Sequence, residues 1–107
     1  MDKTQSLVAF AALSQETRLD VFRLLIVAGP DGLLAGDIGE KLNVRQNTMS
    51  ANLAVLSRAG LIRGQREGRN IRYCADFDGI RGLMRFLMED CCANSLCGSS
   101  GSEGEAA

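Results

Sequence analysis

Residues Asn43 to Gly60 read N-V-R-Q-N-T-M-S-A-N-L-A-V-L-S-R-A-G, a short turn feeding one helix, and this stretch decides the fold. Met49, Leu53 and Leu56 fall at i, i+4 and i+7, one stripe facing a core. At about 100° per residue, Asn47, Ser50, Ala51 and Arg58 take the opposite face, with Gln46 and Thr48 near the helix start. A solvated helix face ordinarily mixes acids and bases. This one has no acid at all, and its first two turns present short side chains. Such a face can approach a polyanion closely, and the N–H groups and dipole at the helix N-terminus suit phosphate oxygens.

Upstream, Gly36 to Leu42 forms a short helix with Ile38 and Leu42 inward, closed by Asn43 in a left-handed conformation. Two short helices joined by a tight turn make a helix-turn-helix, whereas a generic helical hairpin would predict nothing about the residues downstream. Asp31-Gly32 is a turn. Before it, Ser14 is the expected N-cap of a helix with Glu16 in its first turn, Leu19, Phe22, Leu25 and Ile26 inward, and Gly29-Pro30 as its stop. Thr4 to Leu13 is a first helix, apolar at Leu7, Val8, Phe10, Ala11 and Leu13.

Downstream, Leu61 to Arg66 and Asn70 to Ala75 flank Glu67-Gly68-Arg69, a β-hairpin with a basic tip. Ile71, Tyr73 and Ala75 share one face of the second strand, and Asn70, Arg72 and Cys74 the other. A helix-turn-helix followed at once by an arginine-tipped hairpin is a winged helix, whose recognition helix enters a major groove while the wing reaches the phosphate backbone or the next minor groove. From Gly79 the pattern is helical again, with Ile80, Leu83, Met84, Leu87, Met88 and Cys91 on one stripe. A small three-helix core does not need an extra apolar helix at each end of the chain. The first and last helices are therefore expected to pair across a two-fold axis in a homodimer, rather than only within one chain.

The fold class expected is thus mainly α with a small β-hairpin, a winged helix-turn-helix in the order α-α-α-α-β-β-α. Residues 1–97 would form one DNA-binding and dimerisation domain, and Gly98 to Ala107, G-S-S-G-S-E-G-E-A-A, a disordered tail. A chain of 107 residues with 46% hydrophobic content suffices for one modest core. The net charge of −1 argues against nucleic acid only if taken whole. Residues 1–44 carry 4 basic and 6 acidic side chains, residues 45–72 carry 6 and 1, and residues 73–107 carry 2 and 6, giving −2, +5 and −4 in turn. Arg45, Arg58, Arg63, Arg66, Arg69 and Arg72 thus face a single opponent, Glu67. With no long apolar run and no signal peptide, the expected location is the cytoplasm, away from membranes, with thiols reduced.

Cys91, Cys92 and Cys97 lie within seven residues in C-C-A-N-S-L-C, with Cys74 apart. Adjacent helical residues diverge by about 100°, so Cys91 and Cys92 share a ligand only if the helix ends there, as Asn94, Ser95 and Gly98 suggest. With no histidine in the chain, a ligand set here is all sulfur and suits a soft ion. Zinc fits poorly, because its structural sites take four ligands and the only fourth sulfur, Cys74, sits on the strand. Three sulfurs suit a trigonal-pyramidal centre such as trivalent arsenic or antimony. Two other readings stand beside this one: small buried hydrophobes, for Cys91 and Cys74 above all, and a redox switch pairing Cys92 with Cys97 or Cys91. A thiol enzyme such as an arsenate reductase is disfavoured, since the chain has neither a C-x₅-R phosphate loop nor a histidine base.

Three motifs in order, L-S-Q-E-T-R-L-D-V-F-R-L-L, then G-D-I-G-E-K-L-N-V-R-Q-N-T-M-S-A-N-L-A-V-L-S-R-A-G-L-I, then R-E-G-R-N-I-R-Y, resemble the ArsR/SmtB family of winged-helix metalloregulators over roughly residues 5–92. The resemblance implies a homodimeric repressor that holds operator DNA when free of inducer and leaves it when thiophilic or transition-metal ions bind. By position, Gln46, Asn47, Thr48, Ser50, Ala51 and Asn52 match the family's recognition-helix contacts, and Arg66 and Arg69 its wing. The helix before recognition, L-A-G-D-I-G-E-K-L, lacks the C-V-C-type motif of the best-known arsenic sensors, and the zinc-type site needs histidines that are not there. Cys91, Cys92 and Cys97 look like the arrangement in members that sense arsenite with a vicinal pair and a later third cysteine. Arg45 replaces the family's usual capping Ser or Thr, a change worth about 1 kcal/mol at the helix start unless the arginine contacts phosphate. The expected function is therefore repression of a metalloid-resistance operon relieved by arsenite, or by antimonite, with a disulfide-based redox regulator on the same fold as the alternative. In this reading Asn47, Ser50 and Gln46 read base edges, and the arginines position the protein on the backbone.

Overall fold

The structure, a computed structural model, describes residues 1–89; Cys91, Cys92, Cys97 and the expected tail from Gly98 lie outside them. Its helices are α1 (Lys3–Leu13), α2 (Glu16–Ala28), α3 (Ala35–Leu42), α4 (Gln46–Arg58) and α5 (Phe77–Met88). Its strands are β1 (Leu33–Leu34), β2 (Ile62–Glu67) and β3 (Asn70–Ala75), and a 3₁₀ turn covers Gly29–Asp31. All seven expected elements are present in the expected order. The added strand, β1, is two residues long and joins a three-stranded antiparallel sheet in the order β1-β3-β2, with Leu33 opposite Tyr73 and Leu34 opposite Arg72. Gly32 makes this approach possible: it sits at φ 62°, and a Cβ there would collide with the Tyr73 carbonyl oxygen.

The caps correct the expected helix boundaries. Asp2 and Gln5 form a capping box, with Gln5 N–H donating to Asp2 Oδ1 at 2.7 Å and Asp2 N–H to Gln5 Oε1 at 2.9 Å, so α1 starts at Lys3. Ser14 is not the N-cap of α2. It closes α1 instead, its hydroxyl donating to the Ala11 carbonyl at 2.9 Å. Gln15 caps α2, accepting the Arg18 N–H at 2.9 Å. With only two residues between the helices, the serine hydroxyl is taken by the carbonyls behind it and the longer glutamine reaches forward. Asp76 caps α5 by accepting the Gly79 N–H at 3.1 Å, which moves the helix start from Gly79 back to Phe77. Asn43 is left-handed at φ 56° and ψ 50°, as the turn of the helix-turn-helix requires.

Met49, Leu53 and Leu56 of α4 are buried with Ile38 of α3, Val21, Phe22 and Leu25 of α2, and Leu61, Ile62 and Ala75 around the sheet. Leu19, expected inward, is exposed, and Ile26 is half-buried. In α1 the expected face is turned: Ser6, Ala9 and Ala12 are buried, whereas Leu7, Val8 and Phe10 are exposed. Small side chains let α1 lie close to its neighbours, so the bulky ones point away. In α5 only Leu83 is buried, while Met84, Leu87 and Met88 are 49%, 53% and 57% exposed. Six of the eight large apolar side chains left exposed among the described residues therefore belong to α1 and α5, which pack on each other. α5 stops at Met88, Glu89 having left helical geometry at ψ 134°, and Cys91, expected on the same stripe, lies outside the described residues.

A candidate nucleic-acid interface on α4 and the wing

α4 is held against α3 by the turn between them. The Val44 N–H donates to the Gly39 carbonyl at 2.9 Å, and Gly39 is buried beneath Gln46, where a Cβ would collide with Gln46 Nε2. Gln46 thus covers the turn while remaining exposed. Arg45 is the N-cap residue, extended at φ −62° and ψ 147°, and its side chain caps nothing. Asn47 Oδ1 accepts the Thr48 N–H at 2.8 Å, and no side chain among the described residues takes the N–H groups of Gln46 or Asn47. Two first-turn donors therefore face outward, where an anion's oxygens can meet them.

Arg45, Gln46, Asn47, Thr48, Ser50 and Ala51 are all exposed, as their helical angle requires. Asn52 departs from the expectation of a DNA-contacting residue. It is 9% exposed, and its Oδ1 accepts a hydrogen bond from an Arg18 terminal nitrogen at 3.3 Å. Arg58, in the last turn, is exposed and complements the C-terminal end of the helix dipole.

In the wing, β2 and β3 pair from Ile62 opposite Ala75 to Glu67 opposite Asn70, so Glu67 belongs to the ladder and the connection is Gly68-Arg69, with Gly68 at φ 63°. Tyr73 lies over Gly64, where a Cβ would stand 2.8 Å from the Tyr73 Cε1. The arginines divide by partner. Arg72 Nε meets Glu67 Oε2 at 2.8 Å, and a terminal nitrogen donates to the Asp31 carbonyl at 3.2 Å. The hydrogen bond and charge of Glu67 raise the Arg72 pKa above its ordinary value. Arg63 stands 3.8 Å from Asp76 Oδ2, a loose pair. Arg45, Arg58, Arg66 and Arg69 make no ion pair among the described residues, and Arg66 only curls toward the Gly68 carbonyl at 3.4 Å. Unpaired cations at the wing tip and at the N-terminus of α4 are the charges a phosphate backbone can use.

A family model described as a helix-turn-helix domain matches residues 13–65. The uncharacterized HTH-type transcriptional regulator YbzH of Bacillus subtilis is 34% identical over 90 residues, covering 73% of this chain and 90% of that protein. Among solved structures, an ArsR-like transcriptional regulator from Rhodococcus sp. RHA1 is 29% identical with a TM-score of 0.70, over 84% of this chain and 81% of that one. The chain belongs to the helix-turn-helix transcriptional regulators. The homodimeric winged helix-turn-helix domain Mb0332 from Mycobacterium bovis, a possible ArsR-family regulator, superposes with a TM-score of 0.66 at 25% identity, over 92% of this chain and 88% of that one. In this helix-turn-helix regulator, α4 occupies the second helix of the motif, the one that reads DNA.

Cys74 is a free, half-buried thiol opposite Arg63 in the wing ladder. Cys91, Cys92 and Cys97 are outside the described residues, and within those residues no three His, Cys, Asp or Glu side chains gather closely enough to hold a metal. No helix among the described residues is long and apolar enough to cross a membrane. The residue that sequence reading missed is Arg18, whose only signal was a lone cation amid the apolar face of the second helix.

Proposed function

We propose that the regulator is a homodimeric repressor of a metalloid-resistance operon, released from its operator when trivalent arsenic, or antimony, binds Cys91, Cys92 and Cys97. The observation that carries the proposal is the donor set: three thiols within seven residues, in a chain without histidine, starting three residues after α5 ends. Three soft sulfurs and no nitrogen select a thiophilic, three-coordinate centre over zinc. The dimer is supported by the exposed Leu7, Val8 and Phe10 of α1 beside Met84, Leu87 and Met88 of α5, and by the homodimeric state of the Mycobacterium bovis relative. A second copy covers that apolar surface and spaces two α4 helices for half-sites about one helical turn apart.

Because α5 belongs to the dimer surface in this reading, an ion that gathers the thiols after it favours a dimer geometry different from the one DNA requires. Such a ligand shifts the population only by its differential affinity for the two geometries, and operator DNA must weaken arsenite binding by the same factor. The test is fluorescence anisotropy of the reduced protein on the promoter DNA upstream of its gene, titrated with arsenite and separately with an oxidant. Near-stoichiometric release by arsenite, abolished in Cys92→Ser, supports the proposal. Release that survives Cys91→Ser, Cys92→Ser and Cys97→Ser together overturns it, and release by oxidant alone replaces it with the disulfide switch.

A further inference from the structure

Arg18 stands in the first turn of α2 and reaches both neighbouring helices. Its Nε donates to the Ala12 carbonyl in the last turn of α1 at 2.7 Å, and a terminal nitrogen donates to Asn52 Oδ1 of α4 at 3.3 Å. Its own N–H is held by Gln15 Oε1, so the side chain is anchored at its root. Asn52 is the one buried polar side chain of α4, flanked on the helix by the buried Leu53 and Met49. A guanidinium carries its donors in a rigid planar fork, so one residue can fix two acceptors relative to each other; an ammonium, a single point of charge, cannot span both. The two acceptors here sit on helices with different tasks. Ala12 belongs to the helix that exposes Leu7, Val8 and Phe10, and Asn52 to the helix that exposes Asn47 and Ser50.

We infer that Arg18 is a positioning residue for DNA binding: through Asn52 it sets the orientation of α4 against α1, and Asn52 serves operator recognition from inside the protein without touching DNA. The inference rests on α4 being the recognition helix. It does not depend on arsenic. In a dimer joined through α1 and α5, any rotation of α4 against α1 is repeated by the two-fold axis, so half-site spacing registers it twice.

The experiment measures anisotropy on the same promoter DNA at several salt concentrations for wild type, Arg18→Lys, Asn52→Ala, the double variant and Asn52→Asp, with circular dichroism to confirm that each is folded. Each of the first two substitutions is expected to weaken binding about tenfold, the scale of one lost charge-assisted hydrogen bond. The double variant should be no weaker than either single one, because both remove the same link. The slope of log K against log salt should stay at the wild-type value, whereas a lost phosphate contact lowers it by about 0.9. Asn52→Asp keeps an oxygen for Arg18 and should bind within about threefold of wild type. Additive losses, a reduced salt slope in Arg18→Lys, or an Asn52→Asp protein as weak as Asn52→Ala would each overturn the inference. If Arg18→Lys fails to fold, the comparison of Asn52→Asp with Asn52→Ala decides alone. No DNA binding by the wild type would overturn the reading of α4 itself, a different failure.

Discussion

Glu67 Oε2 lies 2.8 Å from Arg72 Nε across the wing hairpin, and this acid occupies one guanidinium while leaving Arg66 and Arg69 to the solvent. The basic segment therefore offers DNA fewer cations than its composition suggests. Glu67→Gln should release Arg72, strengthening promoter binding and steepening the salt slope by up to about 0.9. Arg66→Ala with Arg69→Ala should flatten the slope by about twice that amount. Anisotropy titrations between low and physiological salt check both, and an Arg66, Arg69 double variant with an unchanged slope would place the wing off the DNA.

The exposed Asn47 and Ser50 carry no charge, so their loss should be felt in sequence discrimination and hardly in the electrostatic part of binding. Asn47→Ala with Ser50→Ala should reduce the preference for the promoter over random duplex by about 1–3 kcal/mol, leaving random-duplex affinity near wild type. Competition titrations with both DNAs measure the ratio.

Much of this arrangement is legible in the residues. The Met49, Leu53, Leu56 stripe, the left-handed Asn43 and the hairpin around Gly68 follow from local periodicity and turn chemistry, and each is where that chemistry puts it. What escaped has tertiary causes. β1 is two residues whose partners lie in a strand 38 to 40 positions downstream, too short to show a period. The turned face of α1 reflects close packing of Ser6, Ala9 and Ala12, which apolar periodicity cannot rank above Leu7 and Val8. Asn52 stands three residues after Met49, about 60° round the helix and within the buried arc, and only the resemblance, by position, sets it among the DNA contacts. Its partner Arg18 is 34 residues away, and nothing local announces the pair.

Arg45 precedes α4 without capping it. Arg45→Ser should install a hydroxyl acceptor for the first-turn N–H groups and stabilise the fold by about 1 kcal/mol, a rise of about 4 °C in Tm for a domain of this size. The same change should weaken promoter binding and lower the salt slope by about 0.9 if the arginine meets a phosphate. Thermal melts and anisotropy on one variant separate the two roles: stability gained with affinity unchanged would leave Arg45 no part in the interface.

Leu87 and Met84 are about half exposed in the single chain, whereas Leu83 beside them is buried, so substitutions one turn apart on α5 should fail in different ways. Leu83→Ala removes core packing and should cost about 2–5 kcal/mol of stability. Met84→Glu with Leu87→Glu removes little from the core of one chain and places two charges where a second copy would pack. That protein should keep the wild-type far-ultraviolet circular dichroism yet sediment as a monomer, and lose roughly two orders of magnitude or more in promoter affinity as the two half-sites cease to act together. A double-glutamate variant that still sediments as a dimer would move the interface away from α5, and with it the route by which an ion bound just beyond that helix could reach the DNA-reading surface.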